Sequence, residues 1–507
     1  MNRLVYCIFF QIAISLVLLS ATATVTTAEF ELRVVDATTK QLISVRMSIQ
    51  NARGATIKQR GVPFHAGHFC FFGKHVFKLP RGVYTYKIEH GPEYQTVAGQ
   101  FEIKRGANDG ITVEIPRFIN LSEDGWWSGD LEIHRPEPDI PVVMDANGLN
   151  FSNLIAVDNE AIKFKNGFPK TVAKKINEKI AYYQTGMIDS RHGGGLVVVG
   201  MNRQIELPDS KSLLPFNLAS IDSDNPFVFA NNASNWDLPL LLANSKLHRF
   251  NLDGIAIAGE SIRETSAQPN RIDLRPPTPA IVGEHKLEKW QTTIYYHALN
   301  CGFKIPPVAC SASGKSRNPV GYNRVYVHTG RQFTAEKWIE NLKLGRVIVT
   351  NGPVMKVLFN GVLPGETFQV PTGKSIEIET ALTLSLKEKA DYLEIIRNGL
   401  VAKKISLDDY AKARGRLPKI TFQESGWMLV RVVTNNKKAY HFASSAPIYI
   451  QIGNQPVLKK LSAQFFLDWI LERATQIQKS SSADKDEIIE TMRPAFEFWK
   501  HLVKQAG

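Results

Sequence analysis

Apolar and polar positions alternate with a period of two over residues 29–117, which predicts strands throughout that stretch. "FELRVVDATTKQLISVRMSIQ" reads as two strands around a polar break at Thr38–Gln41, and "HVFKLPRGVYTYKIEHG" as two more around a Pro-Arg-Gly turn. "GQFEIKRGANDGITVEIP" adds another two around Gly106–Gly110. Short strands with turns at this spacing predict a small β-sandwich.

From residue 118 to 350 the period changes. "NLIAVD" and "GLVVVGM" are continuous apolar runs, the pattern of strands buried on both faces. "KTVAKKINEKIAYYQ" has helical spacing, and "WDLPLLLANSKLHRF" followed by "LDGIAIAG" reads as helix then strand. "KLEKWQTTIYYHALNCG" and "TAEKWIENLKLG" predict helices closed by Gly302 and Gly345. This alternation predicts an α/β domain. Residues 352–455 return to strands, with hairpin signals at Asn360-Gly361 and Asn398-Gly399. Lys459–Lys479 and Asp484–Gln505 are amphipathic and joined by Ser480-Ser481-Ser482, which predicts an antiparallel helical hairpin packed on the body.

The N-terminus predicts a secretory leader. Arg3 precedes an apolar run from Leu4 to Leu19, and Ala21-Thr22-Ala23 and Thr26-Thr27-Ala28 offer small-residue cleavage positions. The expected location is secreted or periplasmic, with no transmembrane segment left after cleavage. The expected organisation is a leader over 1–28, an N-terminal β-sandwich over 29–117, an α/β domain over 118–351, a second β-sandwich over 352–456 and a helical hairpin over 457–507. A length of 507 residues suits about three cores.

Net charge is +13, spread over several segments with no nucleic-acid motif beside it, so nucleic acid is not an expected partner. A small molecule or a glycan, anionic for preference, is. Cys70, Cys301 and Cys310 remain after the leader, and both a Cys301–Cys310 disulfide and buried free thiols are open.

Candidate chemistry concentrates at residues 129–134, Gly-Asp-Leu-Glu-Ile-His. On a strand, Asp130, Glu132 and His134 project from one face and Leu131 and Ile133 from the other. Two carboxylates and an imidazole on one face can hold a metal. They can equally be a charged pair at the mouth of a domain. Trp126-Trp127 reads as packing at a domain junction, and "NPVGYNR" at 318–324 as turn chemistry. No Gly-x-Ser-x-Gly elbow or phosphate-cradling loop is present, so no catalytic residue is assigned.

Five segments together resemble the CehA/McbA family of metallohydrolase domains within the PHP superfamily. They are "GWWSGDLEIHRP", "WDLP", "LNCGFKIPP", "NPVGYNRVYVHTG" and "GRVIVTNGP". "SSAPIYI" at 444–450 resembles the end of the β-domain that follows in that family. The segment at 29–117 is similar to transthyretin-like or carboxypeptidase-regulatory β-domains. The resemblance implies a distorted α/β barrel between two β-sandwiches, with metal ligands at the C-terminal strand ends. It also implies hydrolysis of esters, carbamates or phosphoesters by a metal-activated water.

The motifs depart from the family at several positions. Asp130 and His134 match the first motif, but Glu132 stands where a histidine is usual. Val157-Asp158-Asn159 keeps the aspartate of Thr-Asp-His and loses the histidine, Gly186-Met187-Ile188 lacks the glutamate, Gly194-Gly195 lacks a histidine, and Ser311-Ala312-Ser313 lacks an aspartate. A shift of one or two residues would bring in Asp189, His192 or Glu160. The implied candidate ligands are therefore Asp130, Glu132, His134, Asp158 and His192, enough for at most one divalent metal. Zinc, manganese and magnesium are open, the glutamate favours the harder ions, and absence of any metal is equally open. Two functions follow from different classes: a metallohydrolase-like protein with one metal or impaired catalysis, or an inactive extracellular protein that binds an anionic glycan.

Overall fold

The computed structural model describes residues 27–104, 109–159, 167–169, 172–203, 205, 207, 226–248, 250–259, 274–283 and 285–506. The leader run and its Ala21-Thr22-Ala23 position lie outside these residues, as does Glu160. The chain is a multi-domain α/β plus β protein ending in a helical pair. Among the described residues no helix is long and apolar enough to cross a membrane.

The first strands are β1 (Thr27–Asp36), β2 (Ser44–Asn51), β3 (Phe64–His65), β4 (His68–Phe72), β5 (Lys74–Pro80), β6 (Gly82–Glu89), β7 (Val97–Ile103) and β8 (Asp109–Ile115). They form two sheets, β5-β1-β8 and β3-β4-β2-β6-β7. Leu32, Val34, Met47, Phe69, Phe77 and Phe101 fill the space between them. The alternation in sequence is the alternation of the two faces: Phe77 and Leu79 of β5 point inward and their neighbours Lys78 and Pro80 outward.

The α/β region contributes β9 (Trp126–Ile133), α1 (Ile140–Ala146), β10 (Phe151–Val157), β11 (Ala173–Asn177), β12 (Ile180–Asp189), β13 (Leu196–Val199), β14 (Phe227–Ala230), α2 (Leu238–Lys246), β15 (Gly254–Ala258), α3 (Lys286–Asn300) and β16 (Pro307–Ala309). β9, β10 and β12 run parallel, β13 is antiparallel to β12 and to β14, and β14, β15 and β16 run parallel. The sheet then curls back on itself. Ser313, beyond β16, forms a parallel bridge with Ile133 of β9, and the His134 N–H donates to the Ser313 carbonyl at 2.7 Å.

One predicted element is wrong. Of the segment expected to be helical over 170–184, residues 173–184 lie in the β11–β12 hairpin, turned by Asn177-Glu178-Lys179 with the Lys179 N–H donating to Asn177 Oδ1 at 2.8 Å. Ile180 and Tyr182 pack on one side of β12 and Ala181 on the other, a strand buried on both faces. Ala173, Ile176 and Ile180 fall at i, i+3 and i+7, the spacing of a helix face, while Lys174 and Lys175 are exposed on β11.

The remaining elements are β17 (Arg324–His328), α4 (Ala335–Lys343), β18 (Val347–Thr350), β19 (Val354–Phe359), β20 (Thr367–Val370), β21 (Ile376–Ser385), β22 (Ala390–Arg397), β23 (Leu400–Ile405), α5 (Leu407–Lys412), β24 (Arg416–Phe422), β25 (Gly426–Thr434), β26 (Phe442–Ser445) and β27 (Ile448–Ile452). β17 pairs with β9, β18 with β17 and β26 with β18, so hydrogen bonding is continuous from the α/β sheet into the last β region. β9, β17 and β18 carry a different core on each face. Trp126, Tyr326 and Ile348 face the β region, while Trp127, Val325 and Val349 face the α/β core. The tryptophan pair thus packs a junction.

Both Asn-Gly pairs have positive φ at each residue, the type I′ geometry, and Asn398-Gly399 joins β22 to β23. The hairpin of α6 (Lys460–Gln478) and α7 (Lys485–Gln505) packs on α2, where the Trp499 indole donates to the Pro239 carbonyl at 2.9 Å. Cys70, Cys301 and Cys310 are buried free thiols, and burial pushes Cys70 and Cys301 up to about 12.

Glu288 sets a pH dependence. It lies in the first turn of α3, where the helix N-terminus favours a negative charge, yet it is 5% exposed. Burial wins over the neighbouring Lys289 and pushes its carboxyl up from 4.5 to about 7. The folded chain keeps this proton where the unfolded chain has lost it. Its stabilising contribution is therefore fully present below about pH 4.5 and is lost as pH rises through about 7. Glu288→Gln is expected to be more stable relative to the parent at about pH 8 than at about pH 5. Thermal melts of both proteins at the two pH values check this, and an unchanged difference contradicts it.

Candidate functional site

β9 places its polar side chains on one face, as the period-two spacing predicts, but the three meet different fates. Asp130 is fully buried, and its carboxylate is taken up by backbone. The Ser311 and Glu132 N–H groups donate to Oδ1 at 3.0 and 3.3 Å, and the Gly321 N–H donates to Oδ2 at 2.8 Å. Burial pushes the Asp130 carboxyl up to about 6 even against these bonds.

The same seam holds a polar network. The Asn323 amide donates to the Gly259 and Cys310 carbonyls at 2.8 and 2.9 Å, and Asn323 N–H donates to Ser311 Oγ at 3.0 Å. Asn318 Nδ2 and Ser316 Oγ both donate to the Ser311 carbonyl, at 3.1 and 2.8 Å. Between them Ala312, fully buried, adopts φ 50°, a left-handed conformation that a residue with Cβ seldom holds. Asp130 and the loops 311–316 and 318–324 thus form a clasp where the sheet returns onto β9.

Glu132 points into the interior and meets the far side of the sheet. Its Oε1 lies 3.0 Å from His134 Nε2, and its Oε2 accepts from Asn231 Nδ2 at 3.3 Å. Burial alone would raise this carboxyl, but the His134 bond and the charges of His134 and Lys315 outweigh it and hold it below the usual carboxylate range. Asn231 follows β14, and its Oδ1 accepts from Asn235 Nδ2 at 3.2 Å. Asn235 also donates to the Gly195 carbonyl at 3.3 Å. These amides fill the space that a side chain at Gly195 would need: an added Cβ there would overlap Asn235 Nδ2 and lie 2.6 Å from Asn231 Oδ1.

Asp158 and His192 are half-buried, Asp158 just past β10 and His192 in the turn after β12. The His192 carbonyl accepts from Arg473 Nη2 at 3.1 Å. Asp189, at the end of β12, is buried and accepts from Asn159 Nδ2 at 3.0 Å. Arg191 Nε lies 3.0 Å from Asp189 Oδ2, and Arg191 Nη1 lies 2.8 Å from Asp237 Oδ2. Arg473 of α6 lies 3.4 Å from the other Asp237 oxygen. Burial raises Asp189 despite Arg191. Here the cation between two carboxylates is a guanidinium of the chain itself.

This donor set does not fit a metal cluster. Asp130 has both oxygens engaged by N–H groups, Asp189 is paired with arginine, Ile188 lies in the apolar core, and Gly195 and Ala312 bring no donor. Among the described residues no group of three His, Cys, Asp or Glu side chains lies where it could hold a metal. The five candidate ligands are therefore not one constellation. Glu132 and His134 meet, Asp130 is spent on the clasp, and Asp158 and His192 do not complete a group with them. Sequence reasoning missed Asn231, Asn235 and Lys315 at the site and Arg191, Asp237 and Arg473 beside it. The asparagine-rich run Asn231–Asn235 ahead of "WDLP" was the signal for the first two.

No protein-family profile matches the chain, and no curated protein matches it. Among solved structures, the Bacillus anthracis TIE protein aligns over 22% of this chain at 25% identity with a TM-score of 0.15. This chain covers 19% of that protein's length. The N-terminal four Ig domains of Dscam1 isoform 8.4 align over 83% of this chain and 96% of their own at 8% identity with a TM-score of 0.13. Likenesses at these scores carry no argument about fold or function.

Two substitutions test the site's construction. Asp130→Asn must present an amide N–H₂ to at least one backbone N–H, and is expected to cost about 1–3 kcal/mol in denaturant unfolding. A neutral result would mean that the clasp is not what holds this seam. Gly195→Ala, at φ 99° and against the Asn235 amide, is expected to lose at least about 2 kcal/mol. Adding Asn235→Ala should recover part of that loss, because the two positions share one contact. Strictly additive losses would contradict the overlap.

Proposed function

We propose that residues 118–351 are a distorted barrel of PHP type whose hydrolase site has become a metal-poor, ligand-binding site in an exported protein. The observation that carries this reading is Asp130. A fully buried carboxylate that already accepts three backbone N–H groups, two on Oδ1 and one on Oδ2, keeps only one of its about four lone-pair sites for any further partner. What stays available is an ionised Glu132, the His134 imidazole, the Asn231–Asn235 amides and the Lys315 ammonium. Together they recognise hydroxyl, amide and anionic groups, which fits a small molecule or an anionic glycan. The direct pairing of Glu132 with His134 favours a second reading, in which those two donors hold a single divalent ion and some hydrolysis survives.

Metal content separates the readings. Elemental analysis of protein purified without added metal is expected to find zinc, manganese and magnesium well below one equivalent. Hydrolysis of generic phosphoesters and carboxyl esters should be weak and unchanged by a chelator. One tightly held equivalent that disappears in Glu132→Ala and His134→Ala, together with chelator-sensitive hydrolysis, would establish the second reading instead.

A further inference from the structure

A cleft of about 430 Å³ opens at the end of the α/β sheet opposite to Glu132 and His134. It is ringed by the N-terminal ends of parallel strands. Trp127 of β9, Leu149 and Asn150 before β10, and Asn177–Ile180 before β12 line one side. The turn His90–Tyr94, which follows β6 of the first β-sandwich, lines the other. The cleft is thus a junction between two domains, where small-molecule sites concentrate, and its volume lies in their usual range.

The turn His90–Tyr94 is fixed in place. Gly91 adopts φ 64° and packs so closely that an added Cβ would lie 2.6 Å from the Asn147 carbonyl, and its own carbonyl accepts from Lys387 Nζ at 2.7 Å. Glu93 Oε2 accepts from Arg117 Nη2 at 2.6 Å and Leu121 N–H at 3.1 Å, and its Oε1 accepts from Tyr326 at 3.2 Å. The Arg117 guanidinium lies 5.1 Å from the centre of the Tyr94 ring. These groups hold the wall rather than await a ligand.

Other lining groups keep capacity. His90 Nδ1 lies 2.6 Å from the Ser44 carbonyl, which only accepts, so Nδ1 carries the proton. Burial lowers His90 against the pull of Asp145, so the ring is neutral and its Nε2 is an acceptor. Asp145 Oδ2 accepts from Ser44 Oγ at 2.5 Å, which leaves Oδ1 to take another donor. Asn177 Oδ1 is used by the Lys179 N–H, which leaves the Asn177 amide N–H₂ and the Lys179 ammonium as donors. Acceptors His90 and Asp145 and donors Asn177 and Lys179 line one cleft with the apolar Pro92, Tyr94, Trp127 and Leu149, a lining that suits a ring bearing several hydroxyls. The charged lining is Glu93, Asp145 and Glu178 against Arg117 and Lys179, a slightly negative balance that disfavours an anion.

We propose that this cleft binds an uncharged saccharide unit, with Asp145 and His90 accepting from its hydroxyls and Asn177 and Lys179 donating to them. The proposal does not depend on the reading of the Glu132 site. The test titrates the full mature chain with neutral methyl pyranosides, neutral oligosaccharides and methyl uronides, read by tryptophan fluorescence and calorimetry. Binding of a neutral glycoside is expected, weakened about tenfold or more in Asp145→Ala and in Asn177→Ala. It should be unchanged in Lys419→Ala, an exposed position on β24 away from the cleft, with all variants shown folded by their melting curves. Binding of simple pyranosides identifies a free sugar as the ligand, and binding confined to oligosaccharides identifies a glycan chain. No binding of any neutral sugar at millimolar concentration, a preference for uronides that Asp145→Ala or Asn177→Ala abolishes, or neutral-sugar binding indifferent to both cleft variants would each overturn the proposal.

Discussion

One buried carboxylate closes the α/β sheet. Asp130 takes N–H groups from residues 311 and 321, on two separate loops, and so ties the end of β16 and the start of β17 to β9. Everything at that end of the sheet is positioned from this clasp. Ala312 is held in a left-handed turn, Ser313 bridges to Ile133, and Glu132 is aimed across the interior at Asn231. Burying the charge is unfavourable, which is why the Asp130 carboxyl rises to about 6. The bonds to otherwise orphaned backbone donors are what offset it. A carboxylate engaged in this way serves the fold. Asp130, which matches the aspartate of the resembled first motif, is engaged here by the backbone.

The charges beside the clasp follow the same logic. Asp189 and Asp237 are buried acids that would attract a cation, and Arg191 and Arg473 supply it. Arg473 comes from α6, some two hundred and eighty residues downstream of His192, whose carbonyl it also holds. Removing one member of such a network leaves an uncompensated buried charge, at roughly 3–5 kcal/mol. The C-terminal helical pair is therefore part of the α/β body. Apolar packing against α2 gives it affinity, and the arginine fixes its register.

The sequence was most legible where local pattern and burial agree. Alternation marked the first β-sandwich, continuous apolar runs marked β10 and β13, and glycines marked the ends of α3 and α4. It misled at β11–β12, where Ala173, Ile176 and Ile180 of a hairpin share the i, i+3, i+7 spacing of a helix face. The change of pattern near residue 352 corresponds to no break in hydrogen bonding, because β17 and β18 are shared between two cores. Alternation cannot reveal this, since both faces of those strands are apolar. At the site, the face shared by Asp130, Glu132 and His134 was readable from spacing two. Their partners were not: Asn231, Ser311 and Gly321 lie about 100 to 190 residues away, and single-chain patterns carry no information on such pairings.

The two ends of the α/β sheet differ in how completely the chain satisfies itself. At the C-terminal end, acids, amides and arginines bond one another, and the Asn231 and Asn235 amides crowd Gly195. At the N-terminal end, the contact between Gly91 and Asn147 sets the separation of two domains, and that separation leaves a polar-lined volume which neither domain fills. Interiors pack to high density, and voids larger than a water molecule are few. A retained cleft whose polar groups keep unused lone pairs and N–H bonds is therefore more informative about ligand chemistry than a motif whose groups are mutually engaged. In this chain the residues that resemble a catalytic motif lie at one end, and a second, independent set of hydrogen-bonding groups lies at the other.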